Sequence, residues 1–150
     1  MAMQARLDID TTDFTISERP ALREDDAVLL QDAGRSTVLA PFTLMGKIAA
    51  TGKWNTFTDE TDVTGLAAYF GIYMGPEIAA ATIVAGDVID LPIVYRGMTF
   101  DEAKLVIENS KTLATIIDTG VVPARSLRDA IAGQDLIAQQ TRTATSFENS

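Results

Sequence analysis

Between Ala27 and Ile93 the chain is a succession of short apolar runs cut by turn chemistry, and this spacing limits its fold more than any other feature. Ala27-Val-Leu-Leu-Gln31 ends at the turn Asp32-Ala-Gly34. Phe42-Thr-Leu-Met45 and Lys47-Ile48 follow Pro41. Thr51-Gly52 breaks the chain before Lys53-Trp-Asn-Thr-Phe57, where Trp54 and Thr56 face opposite Lys53, Asn55 and Phe57. A polar loop over 58–65 leads to Ala67–Met74 and then to Ala80–Val84, each read as a further short strand. Gly86-Asp87 opens Val88–Tyr95, in which Pro92 predicts an edge or bulged strand. Turn signals recurring about every 8–12 residues predict a small barrel or sandwich-like β fold.

The last third changes character. Thr99-Phe-Asp-Glu102 fits a capping box, and Ala103, Val106 and Ile107 share one helical face. Ser126-Leu-Arg-Asp129 repeats the capping logic ahead of Ala130 and Ile131, with Gly133 placed as the C′ residue. Two short helices are expected, over 99–110 and 126–132. Leu113–Val122 is rich in β-branched residues and reads as a strand interrupted at Gly120; Asp135–Ala138 reads as a final strand. The fold class expected is therefore mainly β with two short α-helices, mixed α+β in its C-terminal third.

The ends are polar. The first 26 residues hold seven carboxylates, and within them Asp13-Phe14-Thr15-Ile16-Ser17 alternates at period two. That segment reads either as the adhesive strand of an N-terminal arm, 1–26, or as a strand of the main sheet. Residues 27–140 form a single domain in this reading, and 141–150 a polar tail. The N-terminus lacks the apolar core of a signal peptide, and Ile78–Ala85 is too short to cross a bilayer.

Composition narrows the function. The 150 residues include no Cys and no His, which excludes disulfides, thiolate nucleophiles, zinc fingers, Ser-His-Asp catalysis and His-ligated metals. Twelve Lys and Arg against twenty-one Asp and Glu give a net charge of −9. That charge opposes direct contact with nucleic acid or anionic lipid. No cofactor is expected.

Four patterns invite a chemical reading. Ile116-Ile117-Asp118-Thr119-Gly120 resembles the active-site loop of retroviral-type aspartic proteases, in which two carboxylates share a proton. Its position near the C-terminus argues instead for a strand ending in a turn. Asp59, Glu60, Asp62 and Gly65 fall short of an EF-hand, because no Glu sits at the distal position. Gly71-Ile-Tyr-Met-Gly75 is neither a P-loop nor a dinucleotide fingerprint and reads as a close approach of backbones. Trp54, Phe57, Tyr69 and Tyr73 are candidates for subunit or partner contacts, with core packing as the plainer reading.

Taken in order, these segments resemble the lambda-type head decoration proteins of tailed bacteriophages. The features are a polar arm before Leu39-Ala-Pro-Phe-Thr-Leu-Met45, the Trp-containing strand at Lys53-Trp54-Asn55, an acidic loop with Gly65, and Ala67-Ala68-Tyr-Phe-Gly71-Ile72. Pro92 to Gly97 then lead to Thr99-Phe100, and Leu127–Gly133 leads into a short strand. The likeness spans roughly residues 38 to 138 and departs from the family in a longer arm and in insertions around Glu102 to Val122. It implies a small β-barrel of β-clip-like or β-tulip form. It also implies a non-enzymatic virion protein: a homotrimer on the outer capsid surface that clamps the major capsid protein at local three-fold axes of the expanded head. The arm residues Asp13, Phe14, Thr15, Ile16 and Ser17 would add a strand to capsid elements, and Trp54, Phe57, Tyr69 and Tyr73 would lie at trimer or capsid contacts. The alternatives are another β-rich virion component, of the tail or head-completion type, and an aspartic protease using Asp118.

Overall fold

The structure, a computed structural model, describes residues 14–57, 67–117 and 125–140, without the side chains of 18–20 and 67–69. The strands are β1 (Thr15–Leu29), β2 (Leu44–Ile48), β3 (Trp54–Thr56), β4 (Ala67–Tyr73), β5 (Val88–Asp101), β6 (Ile116–Ile117), β7 (Arg125–Ser126) and β8 (Leu136–Gln139). The helices are α1 (Ala80–Ala85) and α2 (Leu127–Ala132), and a 3-10 turn covers Glu102–Lys104. The expected mainly β barrel with short helices is what forms.

Five strands close the barrel. β1 pairs in parallel with β3, β3 pairs antiparallel with β2, β2 with β4, β4 with β5, and β5 antiparallel with β1. β5 is long enough to serve three neighbours. Its whole length lies along β1; on its other edge β4 takes Ile93 and Val94, and β8 takes Met98–Asp101 in parallel. β6 and β7 form a separate two-stranded ladder.

Side-chain alternation builds a core on each face of this sheet. Leu29, Met45, Trp54, Tyr73 and Ile93, one from each barrel strand, fill the interior together with Ala27, Leu91 and Ile83 of α1. Their immediate neighbours Leu44, Ile72 and Val94 point outward. They are covered by Phe100, Ile117, Leu136 and the α2 residues Leu127, Ala130 and Ile131. Both faces are thus buried at Leu44–Met45 of β2, Phe70–Tyr73 of β4 and Leu91–Val94 of β5, so these stretches are apolar without visible alternation.

Bulges make the long β1–β5 ribbon curve. Glu24 opposes Ile93 while Ala27 opposes Leu91, so β1 carries one residue more than β5 beside Pro92, which has no N–H to offer the ladder. Two further residues are in excess on β1 between Glu18 and Leu22, the stretch that holds Pro20. A compensating excess on β5 lies between Val88 and Leu91, where Asp90 takes φ 64°. Pro92 therefore marks a bulged strand, as its position predicted.

Three expectations need correction. Residues 15–26 run within β1 and pair with β5, so this stretch belongs to the barrel and the strand alternative describes it; residues 1–13 lie outside the described residues. The helix expected over 99–110 is a single 3-10 turn: Thr99 continues β5, and the Asp101 carboxylate, not Thr99, accepts the capping bond from Ala103 N–H at 3.0 Å. Val106 is held extended by bonds from its N–H to Phe42 O and from Leu44 N–H to its own carbonyl, so sheet pairing overrides its helical spacing. Ala80–Val84, expected as a strand, is the helix α1; an apolar run this short carries no decisive period, and Ile83 alone of the helix is buried.

α2 matches its expectation, with the Ser126 hydroxyl accepting from Asp129 N–H at 3.2 Å. Gly133, however, stays right-handed, and the left-handed residue is Asp135. The strand expected over Leu113–Val122 is limited, among the described residues, to Ile116–Ile117.

Candidate functional site

The outer edge of β1 is the first surface that could receive a partner. Among the described residues no strand pairs with that edge from Thr15 to Ala27, because β1 meets β3 only where Leu29 faces Trp54. Ile16 and Leu22 are each 47% exposed, and Ser17 and Arg23 are also exposed. An unpaired strand edge offers backbone donors and acceptors to an incoming strand.

The start of β1 is fixed from below. Phe14 is fully buried and stacks on Phe42, with centroids 4.2 Å apart, and on Phe100 at 5.2 Å. The Phe14 carbonyl accepts from Asp101 N–H at 2.8 Å. Of the five residues read as a strand-donating segment, Phe14 is thus a core anchor, Thr15 is half-buried, Ile16 and Ser17 face outward, and Asp13 lies outside the described residues.

The aromatic candidates take the plainer role. Trp54 and Phe57 are fully buried and Tyr73 is 2% exposed, so these three present no surface to another chain. The Tyr69 side chain lies outside the described residues, though its backbone pairs with Lys47. Gly71 makes the room Trp54 needs: a Cβ there would come within 2.7 Å of the indole and 2.5 Å of Ile93 Cγ2. The approach expected at Gly71 was one of backbones; what fills the space is the Trp54 and Ile93 side chains.

A polar clasp accompanies Trp54. Its indole N–H donates to Glu24 Oε2 at 3.0 Å, and Lys47 Nζ lies 2.5 Å from Glu24 Oε1 and 5.8 Å from the centre of the indole. The β1 bulge beside Pro92 turns Glu24 to the same face as Ala27 and so brings it to Trp54. The Tyr73 hydroxyl donates to Pro76 O at 2.5 Å, and burial pushes its pKa up to about 12. None of these groups lines either of the two depressions described next.

A polar cleft of about 330 Å³ lies between the 31–37 loop and the loop at 108–109. Arg35 closes it with a two-pronged pair to Glu108, at 2.7 and 2.5 Å, while also donating to the carbonyls of Thr37 and Val38 at 2.9 Å. Its donors are spent on holding loops together, a structural use. Nearby, Lys53 Nζ sits 2.6 Å from Asp87 Oδ2, and Gln31 N–H donates to Asp87 Oδ1 at 2.8 Å; these bonds hold the Asp87 carboxyl below the usual carboxylate range.

A second depression, an open groove of about 600 Å³, runs along the extended stretch after the 3-10 turn. Leu105, Ile107 and Leu113 line it, half-buried against the outer core, with Lys111 and Gln140 alongside. Sequence reasoning missed this groove because it assigned 99–110 to a helix.

Asp118, Thr119 and Gly120 of the protease-like motif, the acidic loop with Asp59, Glu60, Asp62 and Gly65, and the 141–150 tail lie outside the described residues. Among the described residues no group of three or more acidic side chains could hold a metal ion, and no helix is long and apolar enough to cross a membrane. No family model matches the sequence, and neither does any curated protein.

Proposed function

We propose that the protein is a structural component of a phage head, a decoration protein that binds the outer surface of the expanded shell as a homotrimer and stabilises it against internal pressure. The observation that carries this reading is the outer edge of β1. It runs beside exposed Ile16 and Ser17, on the segment whose likeness to the decoration proteins implies strand addition, and no described strand covers it. The five-stranded barrel, the acid surplus and the order of sequence segments are compatible with such a clamp. Clamping needs surfaces and backbone donors rather than a reactive centre, and we read the chain as non-enzymatic. Its effect is mass action: a protein that binds only the expanded shell stabilises that shell by its binding free energy.

The test is cryo-electron microscopy of expanded heads lacking the protein, before and after its addition. Added density at the local three-fold axes, with a strand running along β1, is the expected result. Heads that bind no protein, or binding confined to the tail or portal, would overturn the reading.

A further inference from the structure

We infer that the groove beside Lys111 is the contact through which one copy of this chain receives an acidic segment of another. The proposal deepens the reading of the chain as a self-assembling head component and rests on it. The groove has apolar walls, Leu105, Ile107 and Leu113, that the outer core leaves half-exposed; Glu102 also lines it, its carboxylate held by Arg128. Its cation is uncommitted: Arg23, Arg35, Lys47, Lys53 and Arg128 each pair with a carboxylate of their own chain, whereas Lys111 makes no ion pair among the described residues.

Charge complementarity selects the occupant. With twenty-one carboxylates against twelve cations, copies of this chain repel one another unless carboxylates of one meet cations of the next. Lys111, a half-buried residue on an apolar groove, meets that need, since pairing strengthens as a partner excludes water and the apolar walls take up the flanking side chains. A groove on one copy filled by a different surface of the next is a head-to-tail contact, the kind that closes into a ring.

The experiment mixes unlabelled protein with protein grown on heavy nitrogen and treats the mixture with a carbodiimide, which joins amines to carboxylates at contact distance. Mixed-isotope peptides joined at Lys111 are expected, and sedimentation should show an oligomer. Lys111→Glu and Lys111→Met should raise the dissociation constant of self-association at least about tenfold, while Lys111→Arg retains it. Circular dichroism of each variant separates lost assembly from lost fold, and Lys111→Met keeps the stem where the charge reversal proves disruptive. A monomer at 100 micromolar, cross-links from Lys111 confined to one copy, or an oligomer indifferent to Lys111→Glu would each overturn the inference. Binding to heads is scored separately: retained head binding with assembly indifferent to Lys111 defeats this inference alone, and Lys111-dependent assembly without head binding defeats the decoration reading alone.

Discussion

The side-chain amide of Gln134 pairs reciprocally with the backbone of Phe70: Phe70 N–H donates to Gln134 Oε1 at 2.8 Å and Gln134 Nε2 donates to Phe70 O at 2.7 Å. The same Nε2 reaches Tyr95 O at 2.7 Å. β4 and β5 pair directly only at Ile72–Val94 and Tyr73–Ile93, so the amide bridges the two strands where their own ladder has ended. Residues 133–135 continue the turn of α2 before the chain reverses at Asp135, and this delivers Gln134 to the gap.

Gln134→Leu should therefore destabilise the fold by about 1–3 kcal/mol, the cost of leaving partly buried backbone groups unpaired. Gln134→Glu keeps an acceptor for Phe70 N–H but faces two carbonyls with a carboxylate. Its carboxyl pKa should rise in the folded state, so its deficit relative to the native chain is full at pH 7 and shrinks as acid protonates the group. Urea denaturation at pH 7 and pH 4.5 checks both variants; a Gln134→Glu deficit that does not shrink in acid would refute the bridge.

Gly71→Ala adds one methyl where the Ile93 side chain and the Trp54 ring already stand within 2.7 Å of the added atom. Overpacking of this kind costs about 1–3 kcal/mol. Trp54→Phe should recover part of that loss when combined with Gly71→Ala, because the smaller ring frees the space. A double-mutant cycle by thermal unfolding measures the coupling, and strict additivity would show that the two sites do not share the space.

Glu24 is the acceptor for the indole of the only tryptophan in the chain. Glu24→Gln retains an oxygen for the indole N–H and should cost less than Glu24→Leu, which removes it from a fully buried ring and is expected to cost about 1–3 kcal/mol. Because Trp54 is the single indole, its fluorescence reports both the unfolding midpoint and the local environment. Equal losses for the two variants would assign the effect to the charge on Lys47 rather than to the indole bond.

The barrel was legible in the sequence at the level of its turns and strand runs, since Asp32-Ala-Gly34, Thr51-Gly52 and Gly86-Asp87 all separate elements that form. Helix positions were less legible. The period of Ala103, Val106 and Ile107 suits a helix, but Val106 bonds to Phe42 and Leu44, some sixty residues away, and no local pattern encodes those partners. The Ser126 cap, in contrast, is a local bond and was readable. The Glu24–Trp54 pair was hidden for a similar reason: a β1 bulge answering Pro92 on β5 sets which face Glu24 occupies. The β1 edge was visible only as alternation in 13–17, with its neighbour β5 lying more than seventy residues away.

Asp87 gives the acid limb of the stability profile a defined sign. Its folded pKa is depressed, first by the Lys53 ammonium bond and then by Gln31 N–H. A depressed carboxylate contributes stability that is present above its unfolded pKa and is lost as pH falls through the folded value. Asp87→Asn should therefore be less stable than the native chain at pH 7, and the two should converge as the pH drops below the usual carboxylate range. Lys53→Met should produce the same convergence. The side chains are about a third exposed, so the difference at pH 7 is small and should shrink further in high salt. Native and variant curves that stay parallel from pH 7 to pH 3 would exclude the pair as a source of the acid dependence.

Tyr73 sets the opposite limb. Burial holds its pKa at about 12, above the ordinary phenol value of 10.0, and the hydroxyl donates to Pro76 O. For a group whose folded pKa is raised, the stabilisation is complete below the unfolded pKa and is lost as pH rises through the folded one. Above pH 10 the native chain should thus lose stability as the unfolded state begins to ionise, whereas Tyr73→Phe should lose less. At pH 7 the same substitution should cost about 0.5–1.5 kcal/mol for the missing hydrogen bond, so the two chains draw closer in alkali. Absorbance at 295 nm follows phenolate formation directly, and in Tyr73→Phe the latest-titrating phenol should disappear. If that late phenol survives the substitution, Tyr73 is not the group whose ionisation unfolds the barrel in base.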